Sequence, residues 1–301
     1  MFKGEFALDF CPGVNVLIGG NGTGKTTLLK CLYDLKRSYL LHPGDVYGFG
    51  SIGSFEDGLL VVSDPKSMVQ EREWGTAFLN GLAKNYVYIP EKDILEHAKG
   101  LLPFIEQKPT GFNHIYKDSL VNAQDIPTNK QSDLQKSIGG VIASIIGGYI
   151  EWVQSEGAFY TMRKDGTRIP FAVEASGYKK LGFLGLLVAS GQLEPGTVLF
   201  WDEPENSLNP ELVPTLVDIL LELSRNGVQV FIATHSEILA SYFAVNRIKG
   251  DTVMFYSLYK DAERIKADIS DRFDLVEPNA LMLEPVKLYE RQLVKGFGGN
   301  E

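Results

Sequence analysis

Short apolar runs bounded by turn residues set the rhythm of this chain. Val14 to Ile18 is rich in β-branched residues and reads as a buried strand, stopped by a glycine-rich run that starts at Gly19. From Lys25 to Leu40 the period changes, with Leu28, Leu29, Leu32 and Leu35 at helical spacing, so strand, loop and helix follow one another. Thr197 to Trp201 and Val228 to Ala233 are again apolar throughout, the first ending in Asp202-Glu203 and the second in Thr234-His235-Ser236. Between them Glu211 to Arg225 reads as a helix, with Asn226-Gly227 as its stop. Helices are also expected over Lys179 to Ser190 and Glu237 to Phe243. Strands apolar on both faces, alternating with helices, argue an α/β fold with a mostly parallel sheet covered on both sides.

The middle of the chain is more mixed. Phe2 to Phe10 alternates imperfectly, as an edge strand does, and His42 to Asp45 is a turn cluster. Leu59 to Val62 and Tyr86 to Ile89 look like strands, the latter ended by Pro90. Lys99 to Thr128, polar and interrupted by three prolines, supports no assignment, whereas Asp133 to Ile146 is helical in period. Ala158 to Lys164, Asp165-Gly166 and Thr167 to Val173 read as a hairpin, because Asp-Gly supplies the positive φ of a tight turn. The expected layout is a core formed by 1–40 and 170–301, with 41–169 inserted as an α+β lobe. The tail from Gly296 to Glu301 is expected to fray.

Composition narrows the class without naming a function. At 301 residues, 44% of them hydrophobic and 22% charged, the chain can bury a core without disulfide staples. Cys11 and Cys31 fit no metal-ligand spacing, which points to two small buried hydrophobes and a reducing, cytoplasmic setting. The N-terminus lacks the basic and apolar regions of a secretory signal. The longest weakly polar run, Val141 to Ile150, falls far short of the roughly 20 residues of a membrane span, so no membrane insertion is expected. A net charge of −9 argues against a surface coated for non-specific nucleic-acid binding. A local basic patch of Arg163, Lys164, Arg168, Lys179 and Lys180 stays open, and nucleic acid with it.

The glycine-rich run carries the chemistry. Gly19, Gly20, Asn21, Gly22, Thr23, Gly24, Lys25 and Thr26, followed by Thr27, satisfy G-x-x-x-x-G-K-[ST] between a strand and a helix. Glycines let successive N–H groups turn toward phosphate oxygens, and the helix N-terminus adds partial positive charge. Lys25 would reach the outer phosphates of ATP and the Thr26 hydroxyl would ligate Mg2+. At the end of its strand, Asp202 would hold the same Mg2+, and Glu203 would polarise the attacking water.

Asp202-Glu203-Pro204-Glu205-Asn206-Ser207-Leu208-Asn209-Pro210 resembles the Walker B and D-loop run of ABC-class ATPases, in the form seen in RecF-like, OLD-like and other AAA-family ATPases of that class. The opening from Pro12 to Leu29 is similar to the same families, and His235 matches their switch histidine. The resemblance covers roughly 1–40 and 170–245 and implies a P-loop ATPase core. It further implies a signature motif one helix before Walker B, where Ala175-Ser176-Gly177-Tyr178-Lys179-Lys180 stands. The Ser-Gly pair is kept and the second glycine and the glutamine are absent, so Ser176 and Gly177 are read either as a cap for the γ-phosphate of a partner subunit or as an ordinary helix N-cap. The family's Mg2+-sensing glutamine is missing after Pro90, and Glu91 is either its stand-in or a plain surface acid. The implied mechanism is a head-to-tail homodimer closing on two ATP molecules and serving a separate effector or nuclease of a DNA-repair-like or anti-phage system. Alternatives are the ATP-binding subunit of a membrane transporter and a nucleotide-gated binding module with little turnover. Asp251, Asp261, Asp268, Asp271 and Asp274 lack a Toprim-type nuclease arrangement, and Asp268 and Asp271 read as a solvated helix face.

Overall fold

The computed structural model describes residues 6–38, 52–56, 59–63, 85–107, 113–125, 127, 130–262 and 264–297. In chain order the strands are β1 (Phe6–Asp9), β2 (Val14–Gly19), β3 (Ile52–Glu56), β4 (Leu59–Ser63), β5 (Asn85–Ile89), β6 (Gly148–Val153), β7 (Ala158–Arg163), β8 (Arg168–Pro170), β9 (Thr197–Asp202), β10 (Gln229–Ala233), β11 (Val253–Asp261) and β12 (Arg264–Ser270). The helices are α1 (Lys25–Ser38), α2 (Ala98–Gln107), α3 (Asn113–Ala123), α4 (Asp133–Ile146), α5 (Ser176–Ala189), α6 (Val213–Arg225), α7 (Glu237–Asn246) and α8 (Ala280–Phe297).

Six strands hydrogen-bond in the order β12-β11-β2-β10-β9-β5, all parallel except β12, which pairs antiparallel with β11 at one edge. Every residue of β2, β9 and β10 is buried, which is why those runs are apolar on both faces. Successive side chains go to opposite sides. Leu17, Phe200 and Phe231 pack with Leu28, Leu29, Leu32 and Tyr33 of α1. Ile18, Trp201 and Ile232 pack with Leu184 and Leu187 of α5, Leu216 and Leu220 of α6 and Phe243 of α7. Phe200 and Phe231 stack across neighbouring strands with centroids 5.0 Å apart, fixing the sheet where β9 and β10 carry their terminal acids and histidine.

Two smaller antiparallel sheets complete the described residues, β1-β4-β3 and β6-β7-β8. The hairpin expected around Asp165-Gly166 forms, with Gly166 at φ 86°. α4 starts on a capping box of Ser132 and Gln135 and ends on Gly147 in left-handed backbone at φ 67°.

Several expectations need correction. β5 lies inside 41–169 yet is a strand of the large sheet, with Ile89 opposite Trp201, and β3 and β4 share a sheet with β1. The stretch is therefore interleaved with the core and not set apart from it. Asp268 sits in strand β12 and Asp271 follows its end, so they share no helix face; the three-residue spacing suits a helix, and pairing with β11 overrides it. Lys179 and Lys180 are buried and form no surface patch with Arg163, Lys164 and Arg168. Helices α2 and α3 occupy the proline-rich stretch that supports no assignment from sequence, Pro103 included, because Ala98 of α2 and Leu120 and Ala123 of α3 bury into the main core. The turn cluster at 42–45 and the last residues, 298–301, lie outside the described residues, while 296–297 close α8.

Candidate functional site

Parallel register brings the key segments together before any side chain is considered. Leu17 lies beside Ala233, and Ala233 beside Asp202, so β2, β10 and β9 end at one level. The glycine loop after β2, the acids after β9 and the histidine after β10 therefore converge at the carboxyl edge of the sheet.

The loop needs its glycines. Gly19, Gly22 and Gly24 hold φ of 136°, 73° and 94°, and a Cβ on Gly19 would stand 2.1 Å from the Leu258 carbonyl oxygen. Thr23 closes the turn by donating from Oγ1 to the Gly20 carbonyl at 2.9 Å. Gly20, Asn21 and Gly22 are exposed at the mouth, and Thr26 and Thr27 are half-buried in the first turn of α1.

Lys25 is buried, and its ammonium donates to the carbonyls of Gly19 at 2.8 Å and Gly20 at 3.2 Å and lies 2.9 Å from His235 Nε2. Burial lowers its pKa to about 8, outweighing the opposing charges of Glu203, Asp202 and Glu205. Among the described residues its three hydrogen-bond partners are neutral groups, so an anion delivered to this spot gains an ammonium already stripped of water. Thr26 Oγ1 donates to Asp202 Oδ1 at 2.9 Å, bringing an α1 hydroxyl and a β9 carboxylate to one point. Burial raises the pKa of Asp202, opposed by that hydrogen bond and by Lys30.

Glu203 stands on a bend of the chain. Its φ of 48° is left-handed, its N–H donates to the Ala233 carbonyl at 2.8 Å, and its Oε2 accepts from the His235 N–H at 3.2 Å. Burial and the neighbouring Glu205 carboxylate raise its pKa to about 8. Glu205 is held by Thr234, whose hydroxyl donates to Oε1 at 2.5 Å. Burial, then the charge of Lys25, lowers the pKa of His235.

The remaining candidates gather on the other flank. Ser176 is the first residue of α5; the capping position falls on Ala175, which has no side-chain cap, so the ordinary N-cap reading of Ser176 does not hold. Gly177 packs against the 207–208 turn, where a Cβ would meet the Ser207 carbonyl oxygen at 3.2 Å. Among the described residues no hydrogen bond joins Ser176 or Gly177 to residues 19–27. Glu91, exposed after β5, accepts from Asn206 Nδ2 at 3.2 Å, which ties the end of β5 to the turn after β9. Lys180, absent from the sequence-based candidates for the site, enters it by donating to the Glu203 carbonyl at 2.5 Å. The signal for it is a charge on the apolar stripe of α5, four and seven residues before Leu184 and Leu187.

Residues 14–91 and 73–241 match the profile of the family described as "AAA domain, putative AbiEii toxin, Type IV TA system". The arginine transport ATP-binding protein ArgV of Corynebacterium glutamicum is 21% identical over 225 residues, which are 74% of this chain and 69% of that protein. The energy-coupling factor transporter ATP-binding protein EcfA of Methanothermobacter thermautotrophicus is 32% identical over 77 residues, 26% of this chain and 23% of that protein. Among solved structures, the SMC head bound to the C-winged helix domain of ScpA superposes with a TM-score of 0.50 at 12% identity, over 91% of this chain and 93% of that one. That last likeness is one of fold.

Proposed function

This chain belongs to that AAA-domain family, as an ABC-type P-loop protein, and on this premise we propose that it binds ATP with Mg2+ and hydrolyses it. The observation that carries the reading is the buried ammonium of Lys25 at the glycine loop, whose hydrogen-bond partners among the described residues are all neutral. Thr26 and Asp202 fit a Mg2+ ion. Among the described residues no group of three or more His, Cys, Asp or Glu side chains could hold a metal alone. Mg2+ suits one carboxylate and one hydroxyl completed by phosphate oxygens and water, and when bound it would neutralise developing phosphate charge. Glu203 takes the proton of the attacking water and the Lys25 ammonium offsets charge on the phosphates. His235, bridging Lys25 and Glu203, holds the two in register.

Ser176 and Gly177 at the start of α5 make no hydrogen bond to their own glycine loop among the described residues, which favours their use on the nucleotide of a second copy in a head-to-tail dimer. Glu91, joined to Asn206, would sense Mg2+ from the end of β5. The cycle of closing and opening would serve a separate effector of a DNA-repair-like or defence system. A second reading, the ATP-binding subunit of a transporter, is favoured by the transport roles in the names of the two relatives. Among the described residues no helix is long and apolar enough to cross a membrane.

The test is phosphate release by the purified chain with ATP and Mg2+, beside native mass with and without ATP. Turnover together with an ATP-dependent doubling of mass supports the proposal. Absence of turnover with intact binding leaves a nucleotide-gated module, and co-purification with a membrane protein supports the transporter reading.

A further inference from the structure

Two consecutive lysines of α5 are buried, and they serve different neighbours. Lys179 is satisfied by acids: it bonds Glu96, lies 3.8 Å from Asp93 Oδ2 and donates to the Ala172 carbonyl at 3.0 Å. Lys180 has no carboxylate within ion-pair distance among the described residues. Its hydrogen bond goes to the Glu203 carbonyl at 2.5 Å, and the charges around it are those of Glu205, Glu91, Glu203 and Asp202. A buried ammonium costs more to desolvate than a methionine of similar length, so mere filling of the interior does not explain it.

What Lys180 grips is the bend described above. The Glu203 carbonyl also accepts from the Asn206 N–H at 3.1 Å, so its two lone pairs face two donors, while the Glu203 N–H is held by Ala233 at 2.8 Å. Both peptide planes flanking this left-handed residue are therefore fixed. The same helix touches the turn a second time through Gly177, which packs on Ser207 and Leu208. Gly177 and Lys180 are three residues apart and so share one face of α5.

We propose that Lys180 is a positioning residue for Glu203: it clamps the bend that aims the Glu203 carboxylate, and makes that aim depend on where α5, with Ser176 and Gly177 at its start, is held. The proposal rests on the ATPase reading for its functional meaning, and on the contacts alone for the clamp. A ligand engaging the start of α5 thereby alters the direction of Glu203, 27 residues later in the chain, without touching it.

The experiment compares the full-length wild type with Lys180→Met, Lys180→Gln and Lys180→Arg. Amide hydrogen exchange over residues 203–208 is expected to accelerate at least tenfold in Lys180→Met and Lys180→Gln, with exchange in β2 and β10 unchanged. Turnover at saturating ATP is expected to fall at least tenfold in both, with KM for ATP within twofold and thermal midpoint preserved in Lys180→Gln. Lys180→Arg, which keeps a cationic donor, is expected to recover most of both. Unchanged exchange over 203–208 would overturn the clamp, as would a rise in KM with kcat retained or a failure of Lys180→Arg to restore anything. If the wild type itself shows no turnover the ATPase reading fails alone, and exchange still decides the clamp.

Discussion

The ammonium of Lys25 lies 2.9 Å from Nε2 of His235, joining the first turn of α1 to the end of β10. An ammonium can only donate, so the imidazole accepts at Nε2 and carries its proton on Nδ1. Burial and the same positive charge hold the ring neutral. His235→Ala is expected to lower kcat about 100-fold, the scale of one lost preorganised polar contact. ATP affinity, which the proposed function assigns to the glycine loop and Lys25, should change only a few-fold. Stopped-flow nucleotide binding and steady-state phosphate release separate the two; equal losses in both would assign His235 to binding instead.

Glu203→Gln keeps the side chain's shape and can still accept from the His235 N–H, but no longer takes a proton. Turnover is expected to drop by about 10²–10⁴-fold, the range for a general base. Bound ATP should persist, and with it any dimer that ATP induces. Light scattering with ATP and Mg2+ reads this directly, and a variant that hydrolyses at the wild-type rate would remove Glu203 from the proton-accepting role.

The raised pKa of Glu203 has a consequence for stability. Its carboxyl is shifted from 4.5 to about 8 in the folded, nucleotide-free chain, so between those values the folded state holds a proton that the unfolded chain has released. Stability therefore declines as pH rises through that window. Lys25 and Lys180, lowered from 10.5 to about 8, act in the opposite sense above it, because the folded chain sheds protons the unfolded chain retains. Between pH 5 and 8 the thermal midpoint of the wild type is expected to fall relative to that of Glu203→Gln, which has no proton to release in that window. Parallel profiles would show that Glu203 does not titrate there.

Much of this was legible in the residues and some was not, for physical reasons. The glycine loop and the acids after β9 follow from local pattern, since strand, turn and helix each leave a signature within a few residues. Lys180 does not, because the carbonyl it meets belongs to a residue 23 positions on, and a lysine beside another lysine ordinarily signals a surface. Asp268 and Asp271 carry a helical spacing in a run that forms a strand, and the pairing of β12 with β11 alone decides it. Helix α2 stayed hidden because its proline contradicts the helical pattern that its buried Ala98 and Ile105 support.

Two glycines inside helices should respond in opposite ways to the same substitution. A Cβ at Gly182 of α5 would stand 2.5 Å from Ile150 Cγ1, a stiff β-branched side chain of β6. Gly140 of α4 has nothing within 4 Å of its Cβ position. Gly182→Ala is expected to destabilise by about 1–3 kcal/mol through overpacking, and Gly140→Ala to stabilise by about 0.5–1 kcal/mol. Urea midpoints measure both, and a stabilised Gly182→Ala would mean that β6 yields easily.

The order of strands in the large sheet also sets a timetable for synthesis. β2 is apolar along its whole length, and its two neighbours are β10 and β11, whose partners for Val14 are Val230 and Val253. At about 5–20 residues per second, the ribosome delivers those partners on the order of 10–50 s after β2 has emerged. Throughout that interval the strand that leads into the glycine loop has neither flank covered. The nascent chain is thus a natural client for holding chaperones, and the glycine loop gains its supporting strands only once β10 and β11 have been made.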